Sequence, residues 1–416
     1  MNNQVRKIAI IGGGAAGLAA AIAAGDRARE LGQPVEITVF ERDDRVGRSI
    51  LATGNGRCNF SNLNLKLCEY RNSDFVSQVF AAAGDEWLVR DFFDGLGLEW
   101  RNEPDGRLYP LANKASVVVD VLRAACADLG VREACDQEVA AIERPRAEGK
   151  PFTLRMKDGA FQRADAVVVA CGGRFIESLE TAGIEVVAPR PVLGPLAVAD
   201  GDVPIMRELD NIRVRCTVCL LRERDGEFGA IATERGELMF RKYGVSGICV
   251  FNLSRLALPG DRVLINFMPE GLEEFAEDTL MSRRSVLASR FGEPVTYEQM
   301  LRGFLLPRVA EAVLKRRGVK PGDACRAKDV KRLADTLSFF SFEVKGIGDE
   351  GICQVRRGGV PVESVSPSTM GAIGCSGLFI AGEALDVDGP CGGYNLHWAW
   401  TSGHLAGRSA VDTICA

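Results

Sequence analysis

The chain has 416 residues, of which 46% are hydrophobic and 26% are charged, and this composition is typical of a globular protein with about two or three hydrophobic cores. The formal net charge is −5, and no long block of one sign forms the basic face that a nucleic-acid partner would require. The 13 cysteines have no fixed spacing, which indicates reduced thiols in a cytoplasmic protein rather than a secreted disulfide framework. No apolar run approaches the roughly 20 uninterrupted residues of a membrane span.

The N-terminal residues have the pattern of a βαβ unit. Residues 7–11 (KIAII) are a β-branched run that predicts a buried parallel strand, residues 15–31 are rich in alanine with apolar residues at helical spacing, and residues 35–40 (VEITVF) predict a second strand. Glycines interrupt the apolar run that starts at residue 8, so this segment is not expected to be a signal peptide.

The turn between the first strand and the helix carries a phosphate-binding glycine pattern. Gly12, Gly14 and Gly17 fit G-x-G-x-x-G, in which the glycines permit a tight turn, close approach of a pyrophosphate and close packing of the helix. Glu41 ends the second strand, where its carboxylate can accept hydrogen bonds from an adenosine ribose, and an acid there favours FAD or NAD over NADP. The predicted cofactor contacts of this unit are Gly12, Gly14, Ala15, Ala16, Gly17, Glu41 and Arg42.

A polar, glycine-rich loop over residues 47–59 follows the second strand. Asparagine and arginine side chains can satisfy a bent backbone and bind the polar edges of a cofactor. We therefore predict contacts to the pyrophosphate or the flavin, with an ordinary surface loop as the alternative. The residues assigned to this contact are Arg48, Asn55, Gly56, Arg57, Cys58 and Asn59.

The residues after this loop predict helices and then a further strand of the parallel sheet. Residues 87–130 predict helices with a Gly/Pro-rich break at residues 103–110. Tyr109 in this break is a candidate proton donor or, equally, a packing tyrosine. Residues 166–170 (AVVVA) predict another buried strand, and we assign Ala170 and Gly172 at its end to the cofactor site.

The spacing of apolar residues changes near residue 189 and changes back near residue 352. Alternation of apolar and polar residues over 189–271 and 338–351 predicts antiparallel sheet, and apolar residues over 272–337 have helical periodicity. The predicted fold class is therefore α/β: a Rossmann-like FAD-binding domain (1–188 and 352–416), interrupted by a β-rich domain that itself carries a helical insertion.

The spacing of the cysteines and histidines bears on redox and metal chemistry. Cys216 and Cys219 lie on a predicted strand, where positions three apart face opposite sides, so we expect packing rather than a redox pair. Cys58 and Cys391 flank the predicted flavin site without a partner at C-x-x-C spacing, and we expect them not to cycle. With 2 histidines and no zinc-type spacing, no metal site is predicted.

A second polar turn follows a predicted strand at residues 377–381 (GLFIA). Acids, a glycine pair and a helix over 396–411 come next. This order can bind a ribityl hydroxyl and direct a helix N-terminus at the pyrimidine edge of a flavin, although Asp386 and Asp388 could be plain turn residues. The predicted cofactor contacts here are Gly382, Glu383, Asp388, Gly392, Gly393, Tyr394 and Asn395.

The first turn of that helix supplies the remaining catalytic candidates. Tyr394, Asn395 and His397 are expected to lie near the flavin. The helix N-terminus disfavours the protonated form of His397, which predicts a neutral hydrogen-bond donor. His404 shares its face of the helix and is predicted to be a packing or surface residue.

Several segments resemble the BaiN-like flavoproteins, a bacterial family of FAD-dependent, NAD(P)H-linked oxidoreductases. The matching segments are residues 47–59, Gly358-Gly-Val, Thr369-Met370 and 389–400, with 237–240 and 244–247 in the insertion. The resemblance implies bound FAD, NAD(P)H as a transient electron donor, and the interrupted domain order given above. The chain departs from the family at Arg174–Ile184, which is short and polar where relatives have a glycine-rich stretch, and at His397, where relatives commonly carry glutamine.

The resemblance implies more than one function. One family member is linked to reduction of a conjugated C=C bond in an oxo bile-acid intermediate, and another to amine oxidation. We therefore expect a reductase acting on a small apolar or oxo-substituted, steroid-like substrate, with an oxygen-using amine oxidase and a flavin-bearing binding or sensor protein as alternatives. Only one dinucleotide fingerprint is visible, so a nicotinamide would bind without its own Rossmann domain. A small-molecule substrate and no nucleic-acid partner are expected.

Overall fold

The computed structural model describes residues 5–84, 88–145, 150–173 and 176–416, without the side chains of 176–178. The chain divides into two compact units, Met1–Arg190 with Val355–Ala416, and Pro191–Gln354. Of the segment Arg174–Ile184, residues 174 and 175 lie outside the described residues, and a short 3₁₀ helix spans Ile176–Ala182.

The helices and strands follow one another in three groups along the chain. The first group is β1 (Arg6–Ile11), α1 (Ala15–Glu30), β2 (Val35–Phe40), α2 (Arg48–Ala52), β3 (Ser61–Asn62), α3 (Ser73–Ala83), α4 (Leu88–Gly95), β4 (Trp100–Asn102), β5 (Arg107–Pro110), α5 (Ala115–Asp128), β6 (Arg132–Ala134), β7 (Val139–Glu143), β8 (Phe152–Met156), β9 (Phe161–Ala164), β10 (Ala166–Val169) and β11 (Val187–Val192). The second is β12 (Leu196–Val198), α6 (Val203–Glu208), β13 (Arg213–Arg224), β14 (Glu227–Arg241), β15 (Gly244–Ser246), α7 (Ile248–Ser254), β16 (Arg262–Asn266), α8 (Ala276–Phe291), α9 (Tyr297–Leu301), α10 (Pro307–Arg317), α11 (Val330–Ser338) and β17 (Phe340–Ile347). The third is β18 (Val355–Gly359), β19 (Leu378–Ile380) and α12 (Tyr394–Cys415).

The first unit is built on a five-stranded parallel sheet with the order β19-β10-β1-β2-β6. Every residue of β10 and the last four of β1 are buried, as expected for strands covered on both faces. Because the strands are parallel, the residues that follow β1, β2, β10 and β19 all leave the sheet at one edge. The sheet confirms the predicted Rossmann-like βαβ unit.

Helices α1 and α12 pack against each other at very short range. A Cβ atom on Gly403 would lie 2.2 Å from the carbonyl oxygen of Ala16, and one on Gly407 would lie 2.1 Å from that of Ala20. These distances leave room only for glycine, so the α12 backbone rests directly on α1. Two elements from opposite ends of the chain thus share one core.

The break predicted between helices at residues 103–110 is not helical, and its last four residues form a strand, β5, which pairs antiparallel with β4 and β3. Tyr109 is buried on this strand. β4 and β5 form a short hairpin, whereas β3 comes from a more distant part of the chain, which the local pattern does not reveal.

The second unit contains a closed antiparallel barrel with the order β12-β15-β14-β13-β16-β17. Closure through the β12–β17 pairing leaves no free edge. Cys216 is buried and Cys219 half-buried on β13, and their spacing places them on opposite faces, as the sequence predicts.

The helices of the second unit belong to the same hydrophobic cluster as the barrel. Leu280 of α8, Val313 of α10 and Leu333 of α11 share that cluster with Val218 and Phe342 of the barrel strands. The predicted antiparallel sheet and helical segment are therefore both present. Their separation into two domains, with the boundaries given above, stays a prediction.

Two further features concern the whole described chain. No helix in its described part is both long and apolar enough to cross a membrane. The thirteen cysteines all lie among the described residues, and none of them forms a disulfide.

The α1–α12 contact predicts a large effect of one added methyl group. We expect Gly407→Ala to lower the free energy of unfolding by about 2 kcal/mol, because the new Cβ must displace the backbone of α1. Gly95→Ala at the end of α4 is the matched control, since a Cβ there meets nothing within 4 Å and should leave stability unchanged or slightly raised. Urea unfolding measures both, and equal effects of the two substitutions would contradict the contact.

Candidate functional site

The glycine turn after β1 has the geometry that the sequence predicts. Gly12 has φ +103°, and a Cβ there would lie 2.6 Å from the carbonyl oxygen of Ala170. At Gly17 a Cβ would lie 1.8 Å from the carbonyl oxygen of Gly12. Among the described residues, no side chain caps α1 after Gly14, so the N–H groups that begin at Ala15 are available to a phosphate.

Glu41 connects this turn to the loop that follows β2. One carboxylate oxygen accepts a hydrogen bond from the Gly13 N–H at 2.8 Å, and the other accepts from the Asp43 N–H at 2.9 Å. The remaining lone pairs of the half-buried carboxylate can accept ribose hydroxyls. Arg42 and Arg48 lie nearby beside Asp43, and Arg48 is exposed.

The predicted loop over residues 47–59 contains α2 and a 3₁₀ helix over Thr53–Gly56, and it connects the glycine turn to the start of α12. Its first residue, Gly47, donates its N–H to the Gly13 carbonyl at 2.7 Å. Its last, Asn59, accepts the Gly393 N–H at 3.0 Å and donates to the Ser61 carbonyl at 2.8 Å when its side-chain amide is assigned so that donors meet acceptors. The two ends of the predicted cofactor site are therefore joined through this segment by hydrogen bonds at both of its ends.

The middle of this loop turns sharply. Gly54 and Asn55 both have φ of 56°, and Gly56 has φ +80°. Cys58 is fully buried, and burial raises the pKa of its thiol to about 12. The thiol is therefore protonated at neutral pH, which agrees with the expectation that Cys58 does not cycle. The Arg57 guanidinium lies 4.8 Å from the centre of the Tyr109 ring.

The N-terminus of α12 is fixed by close backbone contact. Gly393 has φ +100°, and a Cβ there would lie 2.4 Å from the Ser61 carbonyl oxygen. Asn62 donates its side-chain N–H to the Gly392 carbonyl at 2.9 Å. No side chain in the described chain caps this helix, so the N–H groups after Gly393 can face a ligand.

Two of the predicted catalytic side chains are engaged with backbone. Asn395 accepts the Gly389 N–H and donates to the Gly389 carbonyl, both at 2.9 Å. The Tyr394 hydroxyl accepts the Lys66 N–H at 3.2 Å. In this arrangement Asn395 holds the loop before the glycine pair and Tyr394 holds the segment at Lys66, and their catalytic roles stay predictions.

His397 is almost fully buried below that loop. Its Nδ1 lies 2.8 Å from the Ser61 hydroxyl, and its ring centre lies 5.1 Å from that of Phe80. Burial lowers the pKa of His397 to about 3, so the ring is neutral, as predicted, although the cause is desolvation. Burial also lowers the pKa of His404, to about 4, and His404 packs near Phe92.

A cluster of arginines and aspartates lies behind the glycine pair, and the sequence did not predict it. Arg71 forms a bidentate contact with Asp386, with its Nε 2.9 Å from both carboxylate oxygens. Arg357 contacts both oxygens of Asp388 at 2.8 Å. Asp388 is thus held by an arginine in this structure, while its predicted cofactor contact stays a prediction.

The remaining predicted acid, Glu383, lies at the end of β19. One of its carboxylate oxygens accepts the Arg356 N–H at 2.8 Å. A Cβ on Gly173 would come within 3.2 Å of the same oxygen, so Glu383 lies beside the loop that contains Gly172. Gly382, with φ +66°, lies against α1, because a Cβ there would be 2.9 Å from Cβ of Ala16.

The described residues contain no group of three or more His, Cys, Asp or Glu side chains that could hold a metal ion. The groups brought together here are backbone N–H donors, carboxylates and arginines. Such a set can bind a dinucleotide with phosphates and ribose hydroxyls.

Comparisons with known proteins agree with this geometry. The family model "HI0933-like protein Rossmann domain" matches residues 6–409. The chain is 31% identical to the 3-dehydro-bile acid delta(4,6)-reductase of Clostridium scindens, over 98% of this chain and 100% of that protein. It is 28% identical to the ribosomal RNA dihydrouridine synthase of Haemophilus influenzae, over 98% and 99% of the two chains. It is 29% identical to the Escherichia coli enzyme of the same name, over 98% of each.

The Glu41 contacts predict a role in cofactor retention. We expect Glu41→Ala to weaken FAD binding at least about tenfold, since both the ribose acceptor and the hydrogen bond to the glycine turn are lost. Glu36→Ala is the matched control, because Glu36 is an exposed residue of the same strand. FAD occupancy after dilution and gel filtration measures the effect. Equal retention by the two variants would remove Glu41 from the site.

The buried neutral His397 predicts a pH dependence of stability. An unfolded histidine has a pKa near 6.5, whereas the folded ring stays neutral down to about 3. The unfolded state therefore binds one more proton in this window, and stability falls as the pH falls through it, with a slope of up to about 1.4 kcal/mol per pH unit.

We expect His397→Gln to remove this contribution, because glutamine does not titrate and its amide can still reach Ser61. Urea unfolding of both proteins between pH 7 and pH 5 measures the difference in slope. His404 is present in both proteins, so its contribution cancels. Parallel stability curves would show that His397 is not buried as a neutral ring.

Proposed function

The chain belongs to the HI0933-like family of FAD-dependent oxidoreductases, and we propose that it is a reductase that saturates a C=C bond conjugated with a carbonyl group. The observation that carries this proposal is the joining of Gly13 to Gly393 through the loop over residues 47–59. Through this loop, the phosphate-binding turn and the N-terminus of a second helix, α12, would form one continuous cofactor site.

The residues present fit FAD. The glycine turn would hold the pyrophosphate, Glu41 the adenosine ribose and Glu383 a ribityl hydroxyl. FAD, when bound, supplies the two-electron redox chemistry. We infer that NAD(P)H is the transient electron donor. Since only one dinucleotide fingerprint is visible in the sequence, the nicotinamide would bind in the same cavity as the substrate or beside it.

The N-terminus of α12 would act on the pyrimidine edge of the flavin. The N–H groups at Tyr394, Asn395 and Leu396 have no acceptor within the helix. A helix N-terminus carries roughly half a positive charge, which stabilises negative charge placed beside it. The helix would therefore raise the affinity of the site for electrons, which suits acceptance of a hydride from a nicotinamide.

Tyr109 and His397 are the two candidates for hydrogen bonding or proton transfer to the substrate. Tyr109 is buried, with the Arg57 guanidinium 4.8 Å and the Arg101 guanidinium 5.6 Å from its ring centre. His397 is neutral, so it can donate a hydrogen bond but does not act as a cationic acid. Tyr109 is accordingly the stronger candidate for the proton donor.

The Clostridium scindens relative supports a steroid-like substrate with an oxo group. Its name gives a 3-dehydro-bile acid as substrate and a delta(4,6) double-bond system as the site of reduction. The chain is similar to that enzyme over essentially its full length, and we therefore place an oxo-substituted steroid first among candidate substrates.

A uridine of RNA is the second candidate substrate. Two full-length relatives are named ribosomal RNA dihydrouridine synthases. Uridine carries a C=C bond conjugated with a carbonyl, and dihydrouridine is its saturated form, so the same chemistry would serve. The net charge predicts no nucleic-acid partner, and this stays a prediction. An RNA substrate would contradict it.

The reductase proposal is tested with the purified protein under anaerobic conditions. The protein should be yellow and release FAD rather than FMN on denaturation. NADH or NADPH should bleach the flavin, and a 3-oxo-Δ4 steroid carboxylate should restore its absorbance at least about tenfold faster than air-saturated buffer. A uridine-containing ribosomal RNA fragment is the parallel acceptor. Release of FMN alone, or rapid reoxidation by oxygen with no response to either acceptor, would contradict the proposal.

A further inference from the structure

Arg190 lies beside the arginine–aspartate cluster of the first unit. It follows the segment of β11 that passes over Gly358 of β18. A Cβ on Gly358 would lie 2.8 Å from the Ala188 carbonyl oxygen and 3.1 Å from Cα of Pro189. The Gly358 N–H donates to Asp386 at 2.9 Å. The pairing of β11 with β18 therefore places Arg190 near Asp386 and Asp388, the two acids that precede the glycine pair.

Both of these acids are already bound by other groups. Asp386 accepts hydrogen bonds from Arg71 and from the Gly358 N–H. Asp388 is bound by Arg357 through both carboxylate oxygens. The two carboxylates are buried, so each needs its arginine to offset the loss of water. Neither is therefore free to serve as the counter-ion of Arg190.

Arg190 itself is exposed. In the described part of the chain no carboxylate forms an ion pair with it. Desolvation and the nearby Arg357 and Arg71 lower its pKa, against the opposite influence of Asp388 and Asp386. Glu363 is the further acid that acts on Arg71. The guanidinium of Arg190 thus offers several N–H donors beside the arginine–aspartate cluster, and no carboxylate of the described residues forms an ion pair with it.

We propose that Arg190 binds an anionic group of the substrate, a carboxylate or a phosphate, and so selects anionic substrates. The proposal rests on the proposed function, because it places substrate at the same end of the first unit as the N-terminus of α12. A guanidinium matches both anions through paired N–H donors. The two classes of relative give the two sources: a bile acid carries a carboxylate, and RNA carries phosphates.

Direct binding to the oxidised, FAD-loaded protein tests this without turnover. The probes are cholate, which has the carboxylate but no conjugated C=C, and its neutral methyl ester, with uridine 5′-monophosphate and uridine as the second pair. Isothermal titration gives each affinity for the wild type, Arg190→Gln and Arg190→Lys. Arg290→Gln is the control, because Arg290 is an exposed arginine of α8 in the second unit.

For one of the two pairs, the wild type should bind the anion at least about tenfold more tightly than its neutral partner, which corresponds to about 1.4 kcal/mol. Arg190→Gln should abolish this preference and leave the neutral partner unchanged, Arg190→Lys should retain part of it, and Arg290→Gln should retain all of it. The pair that responds identifies the carboxylate or the phosphate as the source.

The outcomes separate this inference from the proposed function. Anion preference that survives in Arg190→Gln, or the absence of any preference in the wild type, would overturn the role of Arg190 whether or not the enzyme reduces a C=C bond. Arg190-dependent anion binding without reduction of either acceptor would instead overturn the reductase proposal and leave the anion site standing.

Discussion

The organisation of the first unit depends on the contact between the backbones of α1 and α12. Gly403 and Gly407 place α12 against the carbonyl oxygens of Ala16 and Ala20, at distances that no side chain could occupy. This contact ties the last helix of the chain to the first, across the whole of the second unit in sequence. The position of Gly393, and of every group at the start of α12, follows from where α1 lies.

The same contact brings two helix N-termini to related positions. Helix α1 begins directly after β1 at the sheet edge, and α12 begins at Gly393, which is bonded to the loop that starts beside Gly13. Each N-terminus presents N–H groups and partial positive charge. A dinucleotide has an anionic pyrophosphate near its centre, and its flavin gains negative charge when it is reduced. In the proposed binding mode, the fold offers positive potential at both places where the cofactor is or becomes negative.

Local signals in the sequence were sufficient to predict the βαβ unit and its glycine turn. The βαβ unit, the glycine turn and the acid at Glu41 lie within a single short segment, where glycine spacing and β-branched runs carry the information. The Arg71–Asp386 pair lies beyond such reasoning, because its members are 315 residues apart and each looks like an ordinary polar loop residue. The strand that carries Tyr109 was not predicted for a related reason, since one of its partners, β3, lies far from it in the sequence.

The inserted unit shows the same limit. Alternation along β13 and β14 predicts strands and the direction of their side chains, as at Cys216. It does not say that β12 closes the barrel onto β17. Nor does helical periodicity over α8 to α11 reveal that their apolar faces complete the barrel's hydrophobic cluster rather than forming a core of their own.

Substrate choice in this family must come from side chains outside the shared cofactor cradle. Relatives of nearly equal similarity to this chain are named for a bile acid and for ribosomal RNA, so the groups that would hold FAD do not by themselves decide what is reduced. The side chains near the start of α12 include His397, and the arginines around Asp386 and Asp388 lie close to the residues that precede it. His397 is uncharged, whereas no carboxylate among the described residues forms an ion pair with Arg190. If Arg190 binds substrate as proposed, the charge of the substrate decides which molecules enter this end of the first unit, and shape and hydrogen bonding discriminate among those of the right charge.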